Sequence, residues 1–239
     1  MPHLSVIIPA YNEEKRIEKT LLSVDGYLSG QSYDYEILVV SDGSRDKTVE
    51  IVSALAEKVK GLKLIDNKEN YGKGWGVRQG MLEARGDIRL FMDADNSTTI
   101  GQIEGFLPYF SEGYDIVIGS RRIKGANIVV KQPWTRDFLG GIFRFIVHIL
   151  VPLGIADSQA GFKAFSKNAA EAIFSKQTIL RWAFDVEILA IAKKLGFKIK
   201  EVPIRWINDA ESHVKLGGMV GMLFEVLRVR WNLWVNSYK

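Results

Sequence analysis

The chain has 239 residues, 47% of them apolar, and 32 basic against 28 acidic side chains give a net charge of +4. That is enough apolar material for one sizeable α/β domain or two small ones, and too even a charge balance for a nucleic-acid-binding protein. With no cysteine there are no disulfides, thiolate metal sites or cysteine nucleophile.

The opening MPHLSVIIPAYNEE has neither a basic lead nor a long apolar run, so no signal peptide is expected. No apolar run reaches the roughly 20 residues of a membrane-spanning helix. LSVIIP reads as a buried strand. An amphipathic helix follows, with Ile17, Leu21, Val24 and Leu28 at helical spacing. YEILVVSDGS is a second strand ending in turn residues, KTVEIVSALAEKV a second helix, LKLIDN a third strand, GWGVRQGMLEA a third helix and DIRLFMD a fourth strand. TIGQIEGFLPYF continues as helix and YDIVIGS as strand. Repeated βα units imply a mostly parallel sheet with helices on both faces.

After Arg122 the pattern changes. Residues 137–152 are apolar almost all round, with Asp137, Gly141, Arg144 and His148 as one polar stripe at helical spacing. GFKAFS is then a strand, FDVEILAIAKKLG a helix ending at Gly196, and FKIKEVPIRW one further strand. The end, GGMVGMLFEVLRVRWNLWVNSYK, is an amphipathic helix. The simplest division is a catalytic domain over 1–216, including the helix at 137–152, and a C-terminal helix over 217–239.

In an open parallel sheet, ligands bind beyond the carboxyl ends of the strands. Pro9 to Glu14, Ser41 to Ser44, Asp93 to Ser97 and Ser120 to Arg122 all fall there. Asp93 and Asp95 share one face of a strand and repel, a cost that a cation relieves. Hard oxygen ligands suit Mg²⁺ or Mn²⁺, which keep waters and bridge to phosphates. Each motif also has a plain structural reading: SDGS as a turn, YNEE as a helix start, DAD as a capped strand end. ENYGKGWGVRQG opens a helix and suits an anion, but it is neither the Walker phosphate loop nor the dinucleotide fingerprint. His3, His148 and His213 are too scattered to indicate a metal cluster.

Taken together, VIIPAYNEE, VVSDGSRDKT, NYGKGWGVRQGMLEARG, FMDAD, GSRR, DSQAGFKAFS, RWAFDVEILAIAKKLG and EVPIRW resemble the inverting glycosyltransferases of family two, with the GT-A fold. NYGKGWGVRQGMLEARG and RWAFDVE lean toward the dolichyl-phosphate glucosyltransferase group, with the dolichyl-phosphate mannose synthases as neighbours. The resemblance implies a GT-A, Rossmann-like sheet flanked by helices, with amphipathic interface helices toward the C-terminus. It implies that Pro9, Ala10, Tyr11, Glu13, Asp42, Lys73, Gly74, Asp93 and Ala94 line the nucleotide-sugar pocket. Asp42 would hold the uracil base. Asp93, Asp95 and Ser97 would hold the metal, and Arg121, Arg122 and Arg136 the acceptor phosphate. Asp95, Arg121, Asp157 and Gln159 would act at the reacting centre, with Asp185 and Glu187 closing the sugar side. There are two departures. The Ser-Lys pair that relatives carry after VPIRW reads ESHVK here, so Ser212 is present and Lys215, the expected donor-phosphate contact, is displaced. QTILRW resembles the Q-x-x-R-W motif of processive synthases with one extra residue.

The expected reaction is transfer of a hexose, with UDP-glucose favoured as donor, to a polyprenyl or dolichyl phosphate. A phosphate monoester is largely dianionic at neutral pH, since its second pKa is about 6. Such an acceptor needs cations around it, among which Lys131 also falls, and no strong general base. Alternatives are a GDP-mannose or UDP-N-acetylglucosamine donor to the same lipid phosphate, a hydroxyl acceptor with Asp157 or Asp185 as base, and a non-catalytic nucleotide-sugar-binding protein. The lipid acceptor places the enzyme peripherally on a membrane surface, on its cytoplasmic side. The helix at 137–152 and the terminal helix, with Trp231 and Trp234 beside Arg228 and Arg230, would lie in the interface. The bland use of both helices is packing on the core or in a homodimer.

Overall fold

The computed structural model describes residues 3–130, 134–207 and 216–238. Seven strands form the main sheet: β1 (Leu4–Ala10), β2 (Tyr35–Asp42), β3 (Leu62–Asn67), β4 (Ile88–Met92), β5 (Ile116–Ser120), β7 (Phe162–Ser166) and β8 (Ile199–Pro203), in the order β3-β2-β1-β4-β7-β5-β8. All seven residues of β1 are buried, because a strand covered on both faces has no polar side to show. Alternate side chains enter opposite cores. Ile7 joins Val40, Phe91 and Phe165 on one face, while Val6 and Ile8 join Val39, Leu90 and Phe162 on the other.

Helices α1 (Ile17–Leu28) and α2 (Thr48–Ala56) cover the second face. Helices α3 (Lys73–Glu83), α6 (Lys167–Phe174), α7 (Phe184–Lys194) and, outside them, α5 (Trp134–Leu150) and α8 (Leu216–Trp234) cover the first. α8 packs on α5 and α7, with Met222, Val226 and Val229 buried in the same core.

β7 runs antiparallel to both its neighbours, β4 and β5. That reversal decides where the site lies. β1, β2, β4 and β5 end at one edge, and β7 begins there, so the loop 157–161 arrives beside the ends of the other four.

Three expected elements differ. TIGQIEGFLPYF is a 3₁₀ turn, Ile100–Gly105, and then a short α4, Leu107–Ser111. Gly101 and Gly105 weaken a helix there, and Pro108 is accommodated only at a new helix start. FKIKEVPIRW is two strands in two sheets. Pro203 ends β8, Ile204 N–H donates to Ser120 O, and the chain turns away as β9 (Arg205–Ile207). β9 pairs in parallel with the unforeseen β6 (Asn127–Val130), a four-residue, mostly exposed ribbon. The helix expected from residue 137 starts at Trp134.

Candidate active site

The loops at the sheet edge are laced to one another by their own polar groups. Asn12 N–H donates to Ser44 Oγ (3.2 Å) and Arg45 N–H to Asn12 Oδ1 (2.8 Å). Glu13 N–H donates to Thr48 Oγ1 (2.7 Å) and Glu14 N–H to Asp46 Oδ2 (3.1 Å). Asn12 and Asn96 both hold left-handed φ, at 55° and 54°, a conformation asparagine accepts better than other non-glycine residues. Thr20 Oγ1 donates to Ala94 O at 2.7 Å, anchoring the acidic loop to α1. Ile207 N–H donates to Ser97 O at 2.9 Å, so β9 closes the same loop from its far side.

Asp93 and Asp95 stand at the end of β4. Lys73 Nζ lies 2.6 Å from Asp93 Oδ1. Burial opposes the Lys73 charge, but Asp93, with Asp185 and Asp95 behind it, holds the ammonium above the usual lysine range. Burial, and then the charge of Asp93, push Asp95 above the usual carboxylate range, while the Ser97 N–H at 2.9 Å pulls the other way. Ser97 Oγ is buried with no hydrogen-bond partner among the described residues. Two crowded carboxylates with an orphaned hydroxyl fit a hard divalent cation. The described residues hold no cluster of three or more His, Cys, Asp or Glu suited to a metal, so such an ion would take its remaining ligands from water and substrate. Glu13 is buried beside Arg16, whose Nε donates to it at 2.7 Å. Burial raises its pKa to about 7 against the pull of Arg16, and Asp95 and Asp93 add to the rise.

Pro9 and Ala10 are buried at the end of β1, and Tyr11 is exposed beyond them. Asp42 accepts the N–H groups of Tyr71 (3.0 Å) and Gly72 (2.7 Å), fixing the turn into α3. Burial raises its pKa and these two donors partly offset the rise. The glycine-rich start of α3 is explained by what crosses it. Gly74 N–H donates to Arg181 O and Trp75 N–H to Leu180 O, and Gln177 Nε2 donates to Gly74 O at 2.9 Å. A Cβ at Gly74 would come within 2.7 Å of Phe184 Cβ.

On the other side of the edge, Arg121 grips Asp157 with Nε (2.7 Å) and Nη2 (2.8 Å), and its own N–H adds a third bond at 2.9 Å. Burial works against both charges, yet the pair holds Asp157 below and Arg121 above their usual ranges. Lys163 Nζ sits fully buried 2.5 Å from Asp185 Oδ1. Burial pushes Asp185 up and Lys163 down, each toward its neutral form. Arg122 Nη2 donates to Asp137 at 2.6 Å. Gln159 is half-buried in the loop before β7. Glu187 lies in the core, where it accepts from Thr178 N–H and Oγ1, Ile179 N–H and Tyr238 OH. Lys131 and Lys215, and the side chain of Arg136, lie outside the described residues.

A family model described as Glycosyl transferase family 2 matches residues 5–174. The chain belongs to glycosyl transferase family 2. It is 35% identical to a dolichyl-phosphate beta-glucosyltransferase of Trichomonas vaginalis, over 97% of this chain and 75% of that one. A second relative of that description, from Dictyostelium discoideum, is 34% identical over 99% of this chain and 76% of its own. Mannosyl-3-phosphoglycerate synthase from Rubrobacter xylanophilus superposes with a TM-score of 0.72 at 18% identity, covering 98% of this chain and 74% of that one. Glucosyl-3-phosphoglycerate synthase from Mycobacterium tuberculosis in complex with UDP gives 0.69 at 20%, covering 97% and 79%. At such identities the likeness establishes the GT-A fold.

Sequence reasoning missed three residues of this family 2 site. Gly161 carries Asp93 against its α-carbon: a Cβ there would lie 2.0 Å from Asp93 Oδ2. Lys163 reads as an outward lysine of an alternating strand, but β7 is covered on both faces and the side chain has nowhere else to go. Glu225 of α8 caps α7 by accepting from Trp182 N–H (3.1 Å) and Ala183 N–H (2.9 Å). Glu225 is the one acidic residue of α8, and that was the signal available for it.

Proposed function

We propose that the chain transfers glucose from UDP-glucose, with inversion, to the phosphate of dolichyl or another polyprenyl phosphate at a membrane face, peripherally and on the cytoplasmic side. The observation that carries the choice of acceptor is the state of the two carboxylates that a hydroxyl acceptor would need as base. Asp157 is occupied on both oxygens by Arg121, and Asp185 is buried against Lys163. Each therefore has a cation against it, which weighs against its use as the base for a sugar hydroxyl. A phosphate monoester needs no such base, because it is already an anion at neutral pH. The names of the Trichomonas and Dictyostelium relatives support the same acceptor.

Asp93, Asp95 and Ser97 would hold Mg²⁺ or Mn²⁺, which supplies positive charge to the leaving diphosphate. The Mycobacterium tuberculosis synthase has been crystallised with UDP and Mn²⁺ or Mg²⁺. Lys73 adds a cation on the Asp93 side, and Asp42 holds the loop at residues 71 and 72 that faces the nucleotide. Pro9, Ala10, Tyr11, Glu13, Gly74 and Ala94 line that pocket. Arg121 and Arg122 offset the acceptor's charge, so two anions can approach each other.

No helix among the described residues is long and apolar enough to cross a membrane. α5 nevertheless exposes Phe138, Ile142, Phe145 and Ile149, and α8 exposes Phe224, Trp231 and Trp234. Exposed apolar faces carrying tryptophan suit the lipid interface, where an isoprenoid acceptor resides.

The test is a donor-by-acceptor matrix: UDP-glucose, UDP-N-acetylglucosamine and GDP-mannose against a short polyprenyl phosphate, its alcohol and a sugar hydroxyl acceptor. Transfer from UDP-glucose to the phosphate alone is expected. Transfer to a hydroxyl acceptor but not to the phosphate refutes the reading.

A further inference from the structure

The described arginines beside the end of β5 are not equally available. Arg121 commits Nε and Nη2 to the two oxygens of Asp157. Arg122 commits Nη2 to Asp137 Oδ1. Arg144 approaches the same Oδ1 only to 3.8 Å, beyond hydrogen-bond distance, and its guanidinium makes no hydrogen bond to any described residue.

The local sequence explains where that guanidinium lies. Helical side chains lean toward the helix N-terminus. A Cβ at Gly140 would be 3.1 Å from Arg144 Nη1, and one at Gly141 would be 3.6 Å from Nη2. The glycine pair therefore lets the planar group rest on the helix surface, back toward Asp137 and Arg122. Its side chain is only 29% exposed. Its N–H donors are left to water and to the distant Asp137, so the fork is open to an anion. Burial first, and Arg122 next, hold Arg144 below the usual arginine range. Arg121 adds to the crowding, and Asp137 and Asp157 oppose it. Around Arg144 itself, two further guanidinium groups, Arg122 and Arg121, stand against Asp137 and Asp157. On the same helix Phe138, Ile142, Phe145 and Ile149 are exposed, so an anion carrying a hydrocarbon chain meets both kinds of surface along α5.

We propose that Arg144, with the uncommitted arm of Arg122, binds the phosphate of the lipid acceptor. The assignment rests on the reading of that acceptor as a polyprenyl phosphate. A guanidinium fork matches two phosphate oxygens at once, and a dianionic monoester outbids the single charge of Asp137 for both arginines. Asp137 keeps the pair in place beforehand. Arg121, with Nε and Nη2 held by Asp157, is a fixed positive charge beside the site.

The experiment uses geranyl phosphate as acceptor and UDP binding in Mn²⁺ as the control. Arg144→Gln is expected to raise the KM for geranyl phosphate by about tenfold or more, the scale of a lost charge-assisted hydrogen bond, while the Kd for UDP stays within about twofold. Arg144→Lys should restore part of the acceptor affinity, since it returns the charge without the fork. Should Arg144→Gln fail to fold, Arg122→Gln carries the same expectation, its side chain being 32% exposed. An unchanged acceptor KM in a folded variant overturns the assignment, and so does a UDP Kd that rises in parallel. A wild type that transfers no hexose to geranyl phosphate overturns the functional reading itself. A wild type that does so, with unaltered kinetics in Arg144→Gln, overturns only the role of Arg144.

Discussion

Replacing Gly161 by alanine tests the arrangement of the acidic motif most sharply. Asp93 N–H donates to Gly161 O at 3.1 Å, and Met92 is paired with Phe162 in the β4–β7 ladder. The two backbones are thus fixed relative to each other. A Cβ on residue 161 would sit 2.0 Å from Asp93 Oδ2, 2.3 Å from its Cγ and 2.5 Å from Oδ1. Ordinary contact between such atoms lies at roughly 3.5 Å, so the carboxylate must move by more than about 1 Å. It cannot simply rotate in place, because all three of its outer atoms are too close. The clash is with the end of a side chain that is 34% exposed and can give, so the stability cost lies at the low end of the about 1–3 kcal/mol of core overpacking. A displacement of about 1 Å in a catalytic constellation costs on the order of 100-fold in rate. Gly161→Ala should therefore fold, with a Tm lowered by a few degrees, and lose about 100-fold in kcat/KM for hexose transfer to a short polyprenyl phosphate. A folded Gly161→Ala enzyme within about threefold of wild type would show that Asp93 is not held where the fold places it, or does not matter there.

Asp95→Asn should abolish transfer while leaving the fold intact; near-normal turnover of the wild type in EDTA would contradict a metal at Asp93, Asp95 and Ser97. Glu13, with a pKa of about 7 in the native state, keeps a proton that the unfolded chain has released between about pH 4.5 and pH 7. Stability should fall as pH rises through that window, by up to about 3 kcal/mol at 1.36 kcal/mol per unit. Urea midpoints at pH 5 and pH 7.5 should differ less in Glu13→Gln, and equal slopes would refute this. Glu225→Ala removes the acceptor for Trp182 and Ala183 N–H; a loss of about 1 kcal/mol of stability should come with weaker UDP binding, because the segment it supports lies across Gly74. Unchanged UDP affinity would confine Glu225 to a structural role. Trp231→Ser with Trp234→Ser should reduce sedimentation with liposomes, and unchanged sedimentation counts against an interfacial α8.

Much of the fold was legible because parallel strands buried on both faces read as apolar runs, as in VIIP and ILVV, and the α1 stripe at Ile17, Leu21, Val24 and Leu28 is buried as its spacing requires. What was not legible depended on partners distant in sequence. NIVV carries β-branched residues but is short and lacks an alternating pattern, and its partner β9 lies far along the chain, beyond the turn at Ile204. The strand ends are expected to bring the acidic loop and Ser120 to Arg122 to one edge, and Lys73 meets Asp93 there from the start of α3. Chain order could not reveal that Arg121 would be taken up by Asp157, or Lys163 by Asp185. Those pairings arise because β7 runs backwards between β4 and β5, a reversal that no periodicity encodes. The same reversal delivers Gly161 to Asp93.

The central claim is that an anionic lipid phosphate attacks the sugar donor directly. It is tested most directly by following UDP-glucose and geranyl phosphate with the enzyme and Mn²⁺ by ³¹P NMR and identifying the product. The account predicts that the monoester resonance gives way to a phosphodiester bearing β-linked glucose, with UDP released in step. UDP release without a new phosphodiester, or an α-linked product, would contradict it.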